Sequence, residues 1–283
     1  MIIAENEKPI GMFDSGVGGL TVAREVMRNI PNERIVYFGD TARVPYGGKS
    51  KDTILRYSRQ IVRFLQQQDV KAIVVACNTA SAFALEEIRT EIDIPMIGVV
   101  KPGAKIACEV TKNNRIGVIG TKGTISSGLY TEFIRDINPC AQVIGKACPL
   151  FVPLVEENML KDPVTVEMAT RYLSGLKEQD IDTLILGCTH YPLLRSVIRE
   201  VVGETVTLVN PAYETARSLK CLLEERGLAN TKALGDDSNP YQFYVSDAAD
   251  SFREFANTIL PVDIRNATKI NNIEEYQETG GTV

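Results

Sequence analysis

The stretch Ala72-Ile-Val-Val-Ala-Cys77-Asn78-Thr79 joins a continuous apolar run to a cysteine and two short polar residues, and a helical pattern follows it. A short apolar run without alternation is typical of a strand that helices cover on both faces. A second stretch, Thr183-Leu-Ile-Leu-Gly187-Cys188-Thr189, has the same order of residue types. The two stretches indicate parallel sheets in which each cysteine lies at the carboxyl end of a strand.

Short β-branched runs alternate with longer helical patterns along the chain, which indicates the α/β class, with mainly parallel sheets and helices outside them. The predicted strands are Ile10–Phe13, Ile35–Phe38, Ala72–Ala76, Met96–Val99, Arg115–Ile119, Thr183–Leu186, Val206–Val209 and Phe243–Val245. The helical patterns include Leu20–Arg28, Asp52–Gln67, Ala80–Thr90 and Leu193–Val201. The polar ends, 1–8 and 266–283, are predicted to be arms or tails. Ligands of such sheets bind beyond the carboxyl ends of the strands, where both cysteines are placed.

The chain also repeats itself. Ile10-Gly-Met-Phe-Asp-Ser-Gly matches Ile116-Gly-Val-Ile-Gly-Thr-Lys, and Cys77 and Cys188 follow these segments after 67 and 72 positions. Landmarks in one order at similar separations indicate two related halves, although short strand–turn segments also resemble one another by chance. We predict a first domain of residues 1–98 plus 210–283 and a second domain of residues 99–209. Two such domains facing each other present two thiols to one cleft.

Composition narrows the classes of function. The chain has 283 residues and a net charge of −5, which argues against a nucleic-acid partner. No apolar run approaches the ~20 residues of a membrane span, and the start has neither the basic nor the apolar region of a signal peptide. We therefore expect a cytoplasmic chain with reduced thiols and no membrane partner. The six cysteines include no Cys-x-x-Cys pair, which argues against a zinc finger or ribbon.

Cys77 and Cys188 are the candidate reactive thiols, because a helix N-terminus after a strand favours the thiolate form. His190, the chain's only histidine, lies two residues beyond Cys188 and can act as acid, base or hydrogen-bond partner. A zinc site is the alternative for these three residues, although further ligands have no visible spacing partner. Packing is the expected role of the other four cysteines, which are Cys108, Cys140, Cys148 and Cys221.

Three further segments carry candidate residues. Asp14 and Ser15 end the first strand before Gly16-Val-Gly-Gly19, which is neither a dinucleotide-binding nor a Walker motif. Asp14 suits a cationic group, a thiol proton or a helix N-cap. Pro45-Tyr46-Gly47-Gly48 is a ligand loop or a plain surface turn, with equal weight. For Glu156, the pattern alone favours a solvated helix start over a buried carboxyl of raised pKa.

Taken together, Asp14-Ser15, Pro45-Tyr46-Gly47, Cys77-Asn78-Thr79 and Gly187-Cys188-Thr189-His190-Tyr191-Pro192 resemble the motifs of the cofactor-independent glutamate racemases, in the same order. The resemblance runs from about Pro9 to Phe255. Related aspartate racemases usually carry an acidic residue at the position of His190, so the resemblance favours glutamate.

The resemblance implies two similar α/β domains related by a pseudo-twofold axis, with the active site in the interdomain cleft and with no cofactor or metal. It implies that Cys77 and Cys188 are the acid/base residues, that Asp14 assists Cys77, and that His190 and Glu156 assist Cys188. The substrate-binding residues that it implies are Asp14, Ser15, Tyr46, Gly47, Asn78, Thr79, Thr189 and His190.

The activity implied is racemisation of L-glutamate to D-glutamate for peptidoglycan, by a homodimer. Four alternatives stay open: a racemase of a related acid such as aspartate, a one-thiol decarboxylase, a catalytically silent glutamate-binding protein and a zinc-dependent hydrolase. A decarboxylase needs only one of Cys77 and Cys188, so the presence of both argues against it.

Overall fold

The computed structural model describes residues 4–234 and 240–276, which form two parallel sheets flanked by helices. The strands are β1 (Ile10–Asp14), β2 (Ile35–Gly39), β3 (Ala72–Val75), β4 (Met96–Gly98), β5 (Arg115–Gly120), β6 (Gln142–Ala147), β7 (Thr183–Gly187), β8 (Thr207–Val209), β9 (Tyr241–Val245) and β10 (Thr268–Lys269). The helices are α1 (Leu20–Asn29), α2 (Lys51–Gln67), α3 (Asn78–Phe83), α4 (Leu85–Ile88), α5 (Val100–Val110), α6 (Lys122–Ser126), α7 (Leu129–Ile137), α8 (Phe151–Glu156), α9 (Pro163–Lys177), α10 (Arg195–Val202), α11 (Pro211–Glu225) and α12 (Ala249–Ile259). The predicted α/β class is confirmed.

The two sheets share one strand order. The first sheet runs β4-β3-β1-β2-β9-β10, and the second runs β8-β7-β5-β6. If β5, β6, β7 and β8 are taken as the counterparts of β1, β2, β3 and β4, the second sheet has the same strand order as the first four strands of the first sheet. This correspondence supports the two related halves that the sequence repeat indicates.

Apolar side chains cover both faces of each sheet. Strands β1, β2 and β3 are buried at every position, as is β7 in the second sheet. Separate apolar clusters lie on the two faces of the first sheet, and two more clusters serve the second. Burial on both faces explains why these strands are continuous apolar runs rather than alternating ones.

Polar caps set where several helices begin. The Ser50 hydroxyl accepts a hydrogen bond from the backbone N–H of Thr53 at the start of α2, and Asp162 and Asn210 cap α9 and α11 in the same way. Such caps satisfy donors that the first helical turn leaves free. Within residues 4–234 and 240–276, the helices all lack the length or the apolar composition of a membrane span.

The sequence predictions were wrong in three places. Strand β6 was missed because it is a partly exposed edge strand with no continuous apolar run. The helix predicted over Ala80–Thr90 is divided into α3 and α4 at Ala84, whose φ of −121° leaves the helical region. The C-terminal segment is not simply a tail: β10 pairs with β9, and Ile273 is buried. Residues 1–3 and 277–283 of the predicted arms lie outside the described residues.

Candidate active site

Cys77 and Cys188 occupy matched positions in the two sheets. Cys77 closely follows β3 and is the N-cap of α3, while Cys188 directly follows β7. Strands β3 and β7 each pair with the first strand of their own half, β1 and β5. Both cysteines are 5% exposed. The fold therefore places two shielded thiols at the carboxyl ends of corresponding strands, as the sequence predicts.

The Cys77 thiol is buried between two hydrogen-bond partners. It donates to the Ser15 hydroxyl at 3.8 Å and accepts from the backbone N–H of Ala80 at 3.5 Å. Burial, followed by the nearby charge of Asp14, raises the pKa of Cys77 to about 12. A thiolate at Cys188 also raises this pKa, which shows that the two sulfurs influence each other. Cys77 is therefore a thiol, and not a thiolate, at neutral pH.

Cys188 belongs to a chain of three polar groups. Its Sγ lies 3.8 Å from His190 Nδ1, and His190 Nε2 lies 3.0 Å from Glu156 Oε1. Burial lowers the pKa of His190, but the hydrogen bonds with Cys188 and Glu156 outweigh it and raise the pKa to about 10. The imidazole is therefore cationic at neutral pH, and it can hold or transfer a proton beside the Cys188 sulfur.

Asp14 connects the two halves. Its carboxyl is fully buried, accepts from the backbone N–H of Gly16 at 3.1 Å and accepts from the Thr189 hydroxyl at 3.4 Å. Burial raises the pKa of Asp14, while the charge of His190 opposes that rise. The last residue of β1 thus contacts the segment that follows β7.

Three threonine hydroxyls meet at the boundary between the halves. Thr79 Oγ1 lies 2.9 Å from Thr121 Oγ1 and 3.2 Å from Thr124 Oγ1, and the latter two are 3.1 Å apart. Thr79 lies in the first turn of α3 in the first half, while Thr121 is the N-cap of α6 in the second half and Thr124 lies in its first turn. Hydroxyls can rotate to donate to an anionic group, so this cluster can bind a carboxylate.

Two glycines allow the halves to come so close. A Cβ at Gly18 would lie 2.3 Å from Thr189 Oγ1, and a Cβ at Gly47 would lie 2.5 Å from Thr121 Cβ. Real side-chain contacts do not reach these distances, so any larger residue would push the loops apart. Glycine at these positions therefore serves close approach between the loops.

The cavity beside Cys188 is small. A cavity of about 10 Å³ is lined by Asn78, Cys188, Thr189 and Pro211, among other residues. This volume holds no more than about one water molecule. A groove of about 870 Å³ lies between α5 and α11, but neither Cys77 nor Cys188 lines it. The candidate site is therefore defined by the two thiols and their polar partners and not by the larger cavity.

Comparison with known proteins places this geometry in a family. The Asp/Glu/hydantoin racemase family matches residues 20–219. The chain belongs to this racemase family. The glutamate racemase of Geobacter metallireducens is 51% identical over 89% of this chain and 93% of that protein.

Solved structures of racemases have the same fold. Glutamate racemase isoform RacE1 from Bacillus anthracis aligns with a TM-score of 0.90 and 39% identity, covering 94% of this chain and 98% of that one. The glutamate racemase of Francisella tularensis, solved in complex with D-glutamate, aligns with a TM-score of 0.88 and 38% identity, covering 96% of this chain and all of that one. The family resemblance drawn from the motifs is confirmed.

The loop after β2 contains a buried tyrosine. Tyr46 is 1% exposed, and its hydroxyl donates to the carboxylate of Asp40. The alternative of a plain surface turn is therefore wrong for this segment. The hydrogen bond to Asp40 leaves the Tyr46 hydroxyl engaged, so the backbone of Tyr46 and Gly47 is the polar surface that this segment offers to a ligand.

Other expectations are corrected. Glu156 ends α8 rather than starting a helix, so that part of the expectation is wrong; it is exposed, as expected, and its Oε1 lies 3.0 Å from His190 Nε2. Cys148 is buried and Cys108 half-buried, but Cys140 and Cys221 are exposed and do not pack in the core. In the part of the chain that the structure describes, no three His, Cys, Asp or Glu side chains are grouped to hold a metal ion.

Sequence analysis missed Thr121 and Thr124. The repeat itself contains the signal, since it aligns Asp14-Ser15 of the first half with Gly120-Thr121 of the second. A residue that corresponds to a candidate site residue in one half is a candidate in the other. What the repeat cannot give is the contact with Thr79, which depends on how the halves pack.

Proposed function

We propose that this protein interconverts L- and D-glutamate by a two-base mechanism in which Cys77 and Cys188 serve opposite faces of the substrate. The observation that carries the proposal is the pair of buried thiols at corresponding strand ends, each with its own polar partners. The glutamate racemase from Francisella tularensis, solved with D-glutamate, has the same fold and supports the choice of substrate.

The reaction moves one proton off the α-carbon and returns another to the opposite face. The thiolate on one side takes the α-proton, so the Cα–H bond breaks and an S–H bond forms. The thiol on the other side then gives its proton to the carbanion and becomes a thiolate. The roles reverse for the other enantiomer, so both directions need both cysteines, within hydrogen-bond reach of Cα.

Neighbouring groups prepare the thiols. Cys77 is the proton donor when the site is at rest, because burial and Asp14 raise its pKa to about 12. Asp14 and Ser15 receive or return its proton. On the other side, the His190 imidazolium lies 3.8 Å from Cys188 and is held by Glu156, which lets it supply or stabilise charge there.

The carbanion needs stabilisation, since an amino-acid α-proton is very weakly acidic. Hydrogen bonds donated to the α-carboxylate become stronger as negative charge develops there, and the exclusion of water strengthens these hydrogen bonds further. Ser15, Asn78 and Thr189 are the donors at the strand ends, and the burial of both thiols limits the access of water to them.

Glutamate differs from aspartate in the distance between its Cα and its side-chain carboxylate, which is longer by one methylene. We assign that carboxylate to the hydroxyls of Thr79, Thr121 and Thr124 together with the backbone of Tyr46 and Gly47. A single methylene is worth only ~1–3 kcal/mol of discrimination, so both acids must be compared in the assay.

The proposal also covers the domain division, the oligomeric state and the location of the enzyme. Residues 1–98 with 210–283 form one domain and residues 99–209 the other, which agrees with the division of strands between the sheets. The active enzyme is a cytoplasmic homodimer that needs no cofactor and supplies D-glutamate for peptidoglycan.

The decisive experiment uses chelator-treated protein in deuterated water with L-glutamate and no added cofactor. We expect D-glutamate to form and both enantiomers to gain deuterium at Cα. Cys77→Ala and Cys188→Ala should each abolish racemisation, while Cys221→Ala, at an exposed cysteine, should not. Full racemisation by either active-site variant would show that the two-thiol mechanism is wrong.

Two other results would replace the substrate or the activity. Faster racemisation of aspartate would make this an aspartate racemase. Binding of glutamate without deuterium exchange would make it a glutamate-binding protein.

A further inference from the structure

Tyr130 reaches from one half of the molecule into the site of the other. It lies on α7 of the second half, is 3% exposed, and donates its hydroxyl proton to Asn78 Oδ1 at 2.7 Å. Asn78 begins α3 directly after Cys77 and is 4% exposed. This distance is typical of an O–H···O hydrogen bond between well-aligned groups.

The ring of Tyr130 is held by backbone on two sides. A Cβ at Gly187, the residue before Cys188, would lie 3.1 Å from Tyr130 Cε2, and one at Gly103 in α5 would lie 3.4 Å from Cε1. One side chain therefore packs against the segment that carries Cys188 and bonds the residue that follows Cys77. It has little freedom to move away from Asn78.

We infer that Tyr130 is a positioning residue that fixes the orientation of the Asn78 amide for racemisation. The inference rests on the proposed function. Because the hydroxyl occupies Oδ1, both hydrogens of Asn78 Nδ2 remain for the substrate. Asn78 directly follows Cys77 in the chain and shares the lining of a small cavity with Cys188, so its amide lies close to both thiol segments.

The orientation matters because an unconstrained amide can present either end. Turned around, Asn78 would present a carbonyl oxygen to a carboxylate and repel it as negative charge develops. Burial raises the pKa of the Tyr130 phenol, so the hydroxyl keeps its proton and remains a donor. The amide is thereby held ready before the transition state forms, as electrostatic stabilisation requires.

The test is a double-mutant cycle on glutamate racemisation with Tyr130→Phe, Asn78→Ala and both together. We expect Tyr130→Phe to lower kcat about tenfold in both directions with little change in KM, the effect of one lost hydrogen bond. Asn78→Ala should lower kcat by more than Tyr130→Phe does, and adding Tyr130→Phe to Asn78→Ala should not lower kcat further. Tyr213→Phe, on an exposed tyrosine, is the matched control.

Several outcomes would overturn the inference. The first is a wild-type value of kcat in Tyr130→Phe. The second is full additivity, in which Tyr130→Phe lowers kcat as much in the Asn78→Ala protein as in the wild type, because a merely structural role of Tyr130 does not depend on the Asn78 amide. Should Tyr130→Phe fail to fold, Asn78→Asp decides: it still accepts from Tyr130 but lacks the amide donors, so unchanged activity contradicts the inference. Absence of racemisation in the wild type would instead refute the proposed function.

Discussion

His190 has an unusual environment for a lone histidine. It is 4% exposed and lies between the thiol of Cys188 and the carboxylate of Glu156. Burial alone would make the imidazole neutral, yet its two hydrogen bonds raise its pKa to about 10. With this pKa the imidazole is positively charged at neutral pH instead of titrating there.

Replacement of Glu156 by Gln should lower the pKa of His190 by roughly one unit, because an adjacent opposite charge is lost. The chain's single histidine makes this measurable as one imidazole signal in NMR spectra recorded from pH 6 to 10. The signal of the wild type should stay that of an imidazolium through pH 9. Glu157→Gln, one residue further along, is the control, and a wild-type midpoint near pH 6.5 would contradict the assignment.

The same shift links stability to pH. The folded pKa exceeds the ordinary value of 6.5, so the fold binds this proton more tightly than the unfolded chain does. The contribution of His190 is therefore complete below pH 6.5 and is lost as pH rises toward 10. Denaturant unfolding of wild type and His190→Gln should show a difference that shrinks over this range.

The loop after β2 is held by a buried network around Asp40. The Asp40 carboxylate accepts two contacts from Arg43 Nε, at 2.9 and 2.8 Å, and others from Tyr46 and from the Ser246 hydroxyl at 2.9 Å. The Arg43 guanidinium also lies 4.1 Å from the centre of the Tyr57 ring. These interactions hold the loop that contains Tyr46 and Gly47, whose backbone the proposed function assigns to the substrate.

Asp40→Asn should destabilise the fold by about 3–5 kcal/mol, because it leaves the buried Arg43 cation without its carboxylate. It should also raise KM for glutamate, since the backbone of the loop is displaced. Urea unfolding and steady-state kinetics measure the two effects. Asp250→Asn, at an exposed carboxylate of α12, should change stability by no more than about 0.5 kcal/mol. Equal stability of the two variants would show that the network does not hold the loop.

A second buried ion pair ties distant parts of the chain together. Lys71 Nζ lies 2.5 Å from Glu33 Oε2 and 2.6 Å from the carbonyl oxygen of Asn6. The other oxygen of Glu33 accepts from the backbone N–H of Asn230 at 2.8 Å. The pair thus joins the segment before β1, the α1–β2 loop, the start of β3 and the chain beyond α11, at the end of the first sheet opposite the cysteines.

Lys71→Met should cost about 3–5 kcal/mol of unfolding free energy, since the buried Glu33 carboxylate loses its cation. Because the pair lies away from the thiols, kcat of the folded variant should stay close to that of the wild type. Thermal and urea unfolding measure the first effect. Arg171→Met, at a surface ion pair with Glu167, is the control and should cost no more than about 1 kcal/mol. A loss of kcat with unchanged stability would contradict this division.

Local pattern was sufficient for the buried strands and for the two cysteines. The apolar runs before Cys77 and Cys188 are continuous because β3 and β7 are covered on both faces. That signal fails for β6, which lies at a sheet edge and carries polar residues. Local pattern also gives no sign that Glu156, an exposed residue at the end of a helix, is hydrogen bonded to His190.

By itself, the sequence determined the α/β class, the repeat and the placement of both thiols at strand ends. The reason is that a continuous apolar run shows a buried strand, and the residue that follows the run lies at the carboxyl end of that strand. Only the tertiary structure decided which side chains meet between the halves. Thr79 with Thr121, Asp14 with Thr189, and Asn78 with Tyr130 are contacts between residues 42, 175 and 52 positions apart. Such contacts depend on how two separately covered sheets pack together, and residue periodicity within one element carries no information about that packing.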